Sequence, residues 1–210
     1  MSEMLQNMLP VSLLYALPLI PVFIYFWWMQ YHNNRVLDKM TQAETDTVAG
    51  EAAKKLLDDV GITDIIIEKS SDYSQNEYIP QERKIMLGPD TFDQKDLTAI
   101  SLAVRAAGKA ILEKEAPESA RLLDLLKRST LIFFWFVFTI LAFGLMGNSI
   151  ITVGIGYLLF VLMLIAVIVC VRMERGVNRR VLELMSQDEW FPAELPDKLR
   201  SPLNAEATKF

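Results

Sequence analysis

Few side chains in this sequence can do chemistry. There is one histidine, His32, and one cysteine, Cys170. That excludes an intrachain site built from two histidines, an internal disulfide and a cysteine-based zinc ribbon. His32 stands one residue past a row of aromatics, where a ring at a membrane interface is expected rather than a ligand. Cys170 ends an apolar run and reads as packing, or at most as a lipidation site. The remaining candidates are charged. Arg105 and Lys109 are one helical turn apart, so a helix puts both on one face, where like charges repel modestly. Taken alone, that pair reads as a solvated cationic face.

The elements that carry these residues follow from the distribution of apolar residues. The chain has 210 residues, 52% hydrophobic and 22% charged, with a mean hydropathy of +0.25. Both hold only if the apolar residues are bunched, which excludes a simple soluble globule. A net charge of −5 argues against a partner bound through nucleic-acid phosphates. Residues 10–31 carry no charge and end in Phe26, Trp27, Trp28 and Tyr31. They predict a first membrane helix, kinked near Pro18 and Pro21. A cleavable signal peptide fits less well, because residues 1–8 hold no Lys or Arg. Residues 129–146 and 150–171 are two further uncharged runs, separated by Gly147, Asn148 and Ser149, so they predict a tight helical hairpin. Gly144, Gly154 and Gly156 offer small surfaces for close helix contact.

Basic residues set the orientation. Arg35 and Lys39 follow the first run, Arg121, Lys127 and Arg128 precede the second, and Arg172, Arg175, Arg179 and Arg180 follow the third. The N-terminal tail and the hairpin turn hold none. The N-terminus and the turn are therefore expected outside, with residues 32–128 and 172–210 in the cytoplasm.

Between the first two runs, Thr41-Gln42-Ala43-Glu44 reads as a capping box. Val48, Ala52, Leu56, Leu57 and Val60 follow at helical spacing, and Gly61 is placed to end the helix in a left-handed conformation. A strand is expected over 64–69, a loop over 70–81 and a second strand over 83–87. Asp93 is expected to cap a helix reaching about Glu115, with Pro117 in the first turn of the next. The tail after Arg172 extends the third membrane helix, then becomes irregular around Trp190, Phe191, Pro192 and Pro196 and ends loosely over 201–210.

Five segments in this order carry a resemblance. They are Gly50-Glu51-Ala52-Ala53-Lys54-Lys55-Leu56-Leu57-Asp58, Tyr78-Ile79-Pro80, Ile85-Met86-Leu87-Gly88, Val104-Arg105-Ala106-Ala107-Gly108-Lys109-Ala110 and Glu174-Arg175-Gly176-Val177-Asn178-Arg179-Arg180-Val181-Leu182. Over about residues 35–185 the chain resembles the membrane-bound neutral zinc metallopeptidases of the YugP type. Their last soluble helix carries Ala-His-Glu-Val-Gly-His-Ala, whose two histidines share a face and hold zinc while the glutamate polarises the bound water. The resemblance puts Arg105 and Lys109 at the two histidine positions, Ala106 at the general base and Glu174 at the third ligand. A protonated Arg or Lys has no lone pair for zinc. The resemblance thus implies a scaffold without the reaction, with no metal or other cofactor. It also implies that Arg105 and Lys109 occupy the former metal cleft, where they either pair with Glu174 or receive an anionic partner group.

The expected fold is an α+β membrane protein with three transmembrane helices and a small zincin-like helix–strand–strand–helix cytoplasmic unit. Its divisions are 1–31, 32–128, 129–171 and 172–210. The expected function is a non-catalytic binding, scaffold or regulatory subunit of a complex in a bacterial cytoplasmic membrane. Its partners are the lipid bilayer and another integral membrane protein, with Trp190 and Phe191 as contact candidates. Two alternatives stand beside it: a peptidase whose metal ligands come partly from a partner chain, and a membrane-anchored docking module unrelated to zincins.

Overall fold

The computed structural model describes residues 17, 19–73, 75–147 and 149–208. Its elements are α1 (Leu19–Thr41), α2 (Ala49–Asp59), β1 (Ile66–Lys69), β2 (Glu77–Ile79), β3 (Lys84–Leu87), α3 (Pro89–Phe92), α4 (Leu97–Glu115), α5 (Pro117–Met146), α6 (Ile150–Gln187) and α7 (Leu195–Glu206). They fall into two compact units. One holds the described residues up to Tyr31 and Asp124–Cys170; the other holds His32–Leu123 and the described residues from Val171 to Thr208.

The first unit is apolar on its outside. Among the described residues, two helices are long and apolar enough to cross a membrane, α5 and α6. Ile132, Trp135, Phe136, Phe143, Ile151 and Leu158 are exposed on them. Exposed large apolar side chains of that kind mark a surface suited to contact with lipid or with another protein. Within the unit the α5–α6 hairpin packs through two of the three expected glycines. A Cβ on Gly144 would stand 2.9 Å from the backbone N of Val153, and one on Gly156 would stand 2.6 Å from Leu141 Cδ2. Gly154 has open space around it, so its expected contact role is not fulfilled. Part of the first uncharged run, residues 10–16 and Pro18, lies outside the described residues, as does Asn148 in the turn.

The second unit is built on α4. Its N-cap is Asp96, whose Oδ1 accepts the Ala99 amide at 2.9 Å. Asp93 instead follows the short α3, so the expected cap lies three residues too early. Helix α2 packs on α4, and Ala52, Ala53, Leu56 and Leu57 share one core with Ile100, Ala103, Val104, Ala107 and Ile111. Gly61 ends α2 at φ +69°. The Gly61 amide donates to Asp58 O at 2.9 Å and the Ile62 amide to Leu57 O at 2.8 Å, the paired bonds of a Schellman end.

Three sequence expectations are corrected here. The capping box at Thr41 does not form, because α1 runs unbroken to Thr41 and residues 42–48 are not helical. Thr41 Oγ1 donates to Leu37 O at 3.0 Å, and α2 starts after Val48 with no side-chain cap. The expected loop over 70–81 contains β2, which pairs antiparallel to β3 with Tyr78 opposite Ile85, while β1 pairs parallel to β3 on the other side. The sheet order is therefore β1-β3-β2, three strands rather than two. A three-residue strand in a polar stretch owes its existence to the ladder bonds of its neighbour, not to its own propensity. The tail over 195–206 is helix α7, with Leu195, Leu199 and Leu203 in the core.

An ion pair also joins α2 to the end of α6. Lys55 Nζ lies 2.8 Å from Asp188 Oδ2 and also bonds Asp59. The Trp190 amide donates to Asp188 Oδ1 at 3.0 Å. Lys55 first, and then that amide, hold the Asp188 carboxyl down at about 2, and Asp188 in turn raises Lys55. A folded pKa depressed in this way gives stability that is present above the ordinary carboxylate value of about 4. That stability is lost as the pH falls through about 2. Asp188→Asn should therefore flatten this acid limb in a melt series by lowering the melt at neutral pH toward its low-pH value, and only modestly, because the pair is near the surface.

Candidate functional site

Helix α4 turns Arg105 toward α6 and α7. Arg105 Nε donates to Glu174 Oε2 at 3.0 Å, and Nη1 lies 3.4 Å from Glu206 Oε2. The side chains are 14% exposed for Arg105, 1% for Glu174 and 8% for Glu206. One guanidinium thus serves carboxylates from two other helices in a largely water-free place. A planar fork of five donors suits this, where an ammonium would not.

The placement follows from local packing. Gly108, one turn after Arg105, lies where α6 crosses α4: a Cβ there would stand 2.6 Å from Val181 Cγ2 and 3.0 Å from Val177 Cγ1. The missing side chain lets the two helices approach closely, and Glu174 sits on α6 one turn before Val177 and Asn178. Asn178 Nδ2 donates to Leu203 O at 2.8 Å, which fixes α7 against α6. Asn33 Nδ2 donates to Thr208 Oγ1 at 2.6 Å, which fixes the chain just beyond α7 against α1. These bonds satisfy buried polar groups and hold Glu206 beside Arg105.

The expected approach of Glu174 to a cation of the soluble helix is present at Arg105. Ala106 is buried beside it, and Lys109 is half-buried one turn further. Glu206 is the member that sequence reading missed. The signal was the Leu195, Leu199, Leu203 spacing, with Pro196 suited to a first helical turn, which together mark an amphipathic helix that carries Glu206 on its last turn. Of the contact candidates, Trp190 is 43% exposed, whereas Phe191 is 4% exposed and belongs to the core. Phe191 is therefore withdrawn as a contact residue: its ring packs edge-on to Trp190 at 4.8 Å and continues inward.

These side chains do not fit a zinc ion. Zinc needs three or four lone-pair donors, and here two carboxylates share the place with a guanidinium that offers none. Among the described residues, no three His, Cys, Asp or Glu are grouped to hold a metal. The chemistry available is charge pairing.

Residues 15–210 match the sequence profile of a family described as putative neutral zinc metallopeptidases. No curated protein and no solved structure matches the chain.

Proposed function

The chain belongs to the neutral zinc metallopeptidase family, and from that premise we propose that it is a member that binds rather than cuts. It is a non-catalytic integral membrane protein that holds or regulates another membrane protein within a complex. Membership removes the alternative of a docking module unrelated to that family. The observation that carries the reading is the Arg105–Glu174 pair at 3.0 Å, with Ala106 next to it. By resemblance these are the positions of a metal ligand, the third ligand and the general base. A peptidase needs a polarised water there; a buried ion pair supplies cohesion instead.

The membrane part of the reading has three spans, the N-terminus outside and the unit of residues 32–123 and 171–208 in the cytoplasm. It is supported by the apolar exterior of α5 and α6 and by the basic residues that flank the uncharged runs on one side only. The surfaces offered to a partner protein are the helical hairpin and the exposed face of Trp190.

The purified protein should carry no stoichiometric zinc or iron and should show no chelator-sensitive cleavage of casein or of a membrane substrate. One bound zinc per chain together with such cleavage would sink the reading and favour a metal site completed by a partner chain.

A further inference from the structure

Between the second half of α4, the start of α5 and the first cytoplasmic turns of α6 lies a groove of about 380 Å³. Its floor is apolar: Ile111, Leu112, Met173, Val177 and Val181. Its rim holds Ser119 and the Arg180–Glu115 pair, closed at 2.8 Å. Gly176 opens one wall, because a Cβ there would meet nothing within 4 Å. Helical spacing puts Arg172 four residues before Gly176 and Arg179 three after it, so both flank that open wall. Arg180 is committed to Glu115, while among the described residues neither Arg172 nor Arg179 has a carboxylate partner. Met173 stands two residues beyond Val171, the end of the uncharged run, within one unbroken helix.

We propose that this groove is a binding site for an anionic phospholipid, with the glycerol and upper acyl chain on the apolar floor and the phosphodiester headgroup on Arg172 and Arg179. The occupant follows from three features together. The floor offers only van der Waals contact and would be poorly hydrated. The two arginines beside it present charge with no carboxylate partner among the described residues. The position, at the depth where α6 leaves the apolar run, is the depth at which headgroups lie. A soluble anion would leave the floor uncovered, and a zwitterionic lipid would bring a cation against the arginines. The inference rests on the membrane reading of α6 given above.

The test uses the full chain in nanodiscs of phosphatidylcholine, doped with spin-labelled phosphatidylglycerol or spin-labelled phosphatidylcholine. The motionally restricted fraction should favour phosphatidylglycerol by about tenfold or more. Gly176→Leu fills the groove from an open position and should melt no lower than the parent, yet abolish the preference. Arg172→Gln with Arg179→Gln should abolish it as well. Equal restriction of both lipids overturns the proposal. So does a preference that survives Gly176→Leu but not the arginine changes, because that is surface charge without a groove. Washing membranes at alkaline pH separates the two readings. Release of the protein removes the membrane reading and this proposal with it; retention without lipid preference removes this proposal alone.

Discussion

Methionine in place of Arg105 should cost the unit of residues 32–123 and 171–208 about 3–5 kcal/mol, the usual loss when one partner of a buried ion pair is removed. The size follows from burial. Glu174 is 1% exposed and Glu206 8%, and both reach the same guanidinium. Removing that guanidinium takes away the cation that both buried carboxylates reach. Glu174→Gln should cost less, because Arg105 keeps Glu206 and the amide oxygen still accepts a hydrogen bond. Replacing all three at once, Arg105→Met with Glu174→Met and Glu206→Met, should recover much of the loss, since a well-packed apolar set can equal or exceed a buried ion pair. Thermal melts in mild detergent read all three. If Arg105→Met melts like the parent, the pair is incidental and the binding reading loses its main support.

The triple replacement separates two explanations of why a carboxylate persists at position 174. If the charges are kept for stability alone, an apolar set would serve as well. If they are kept for specificity, the triple variant should melt normally yet lose register between α4, α6 and α7. That loss would appear as broadened methyl signals from Val177 and Val181, the side chains packed on Gly108. The geometry favours specificity. Arg105 is bonded to one carboxylate on each of two other helices, and a helix sliding by one residue would break that bond while burying the same apolar area. Directional bonds fix a register that an apolar contact leaves open.

The sequence made the long elements legible and the short ones not. The uncharged runs at 129–146 and 150–171 emerge as single helices, with α6 extended to Gln187. The α2 helix with its Gly61 end and the helix carrying Arg105 were legible from apolar spacing and one glycine. Local pattern failed where the decisive contacts are remote. Strand β2 exists because Ile85 and its neighbours offer a ladder to residues 77–79. The Thr41 motif has the composition of a cap, but α1 continues through it. The charge cluster shows the same division. A resemblance could point to Glu174 because it lies in a segment similar to the family's, whereas Glu206 lies beyond the stretch where that resemblance was drawn. Its role depends on how α7 folds back onto α6, a contact separated from Asn178 by 25 residues of chain.

Helix α7 gives the sharpest contrast between the two levels, and Leu199→Ala tests it. From sequence, the stretch around Pro196 reads as irregular and residues 201–210 as a loose end, and an alanine in such a segment would change stability by less than about 0.5 kcal/mol. In the fold, Leu199 is completely buried, with Leu195 and Leu203 one turn to either side in the same core as Ile100 and Val104. Truncating it removes apolar contacts and leaves a cavity that packed helices collapse into only in part, so the loss should be about 2–5 kcal/mol. Pro196 stands in the first turn, where its missing amide costs nothing, and the helix tolerates Pro202 because the rest of α7 is held by its buried face. Trp190→Ala, at a half-exposed position on the chain leading into α7, is the control and should move the melt far less. The two arguments for α7 are coupled through Glu206: if Leu199→Ala loosens the helix, the carboxylate it presents to Arg105 goes with it. Part of the Arg105→Met penalty should then already be spent in the Leu199→Ala background. The double variant should therefore fall short of the sum of the single losses, as residues sharing one support do. Full additivity would mean that α7 does not position Glu206, and that the cluster is held by α4 and α6 alone.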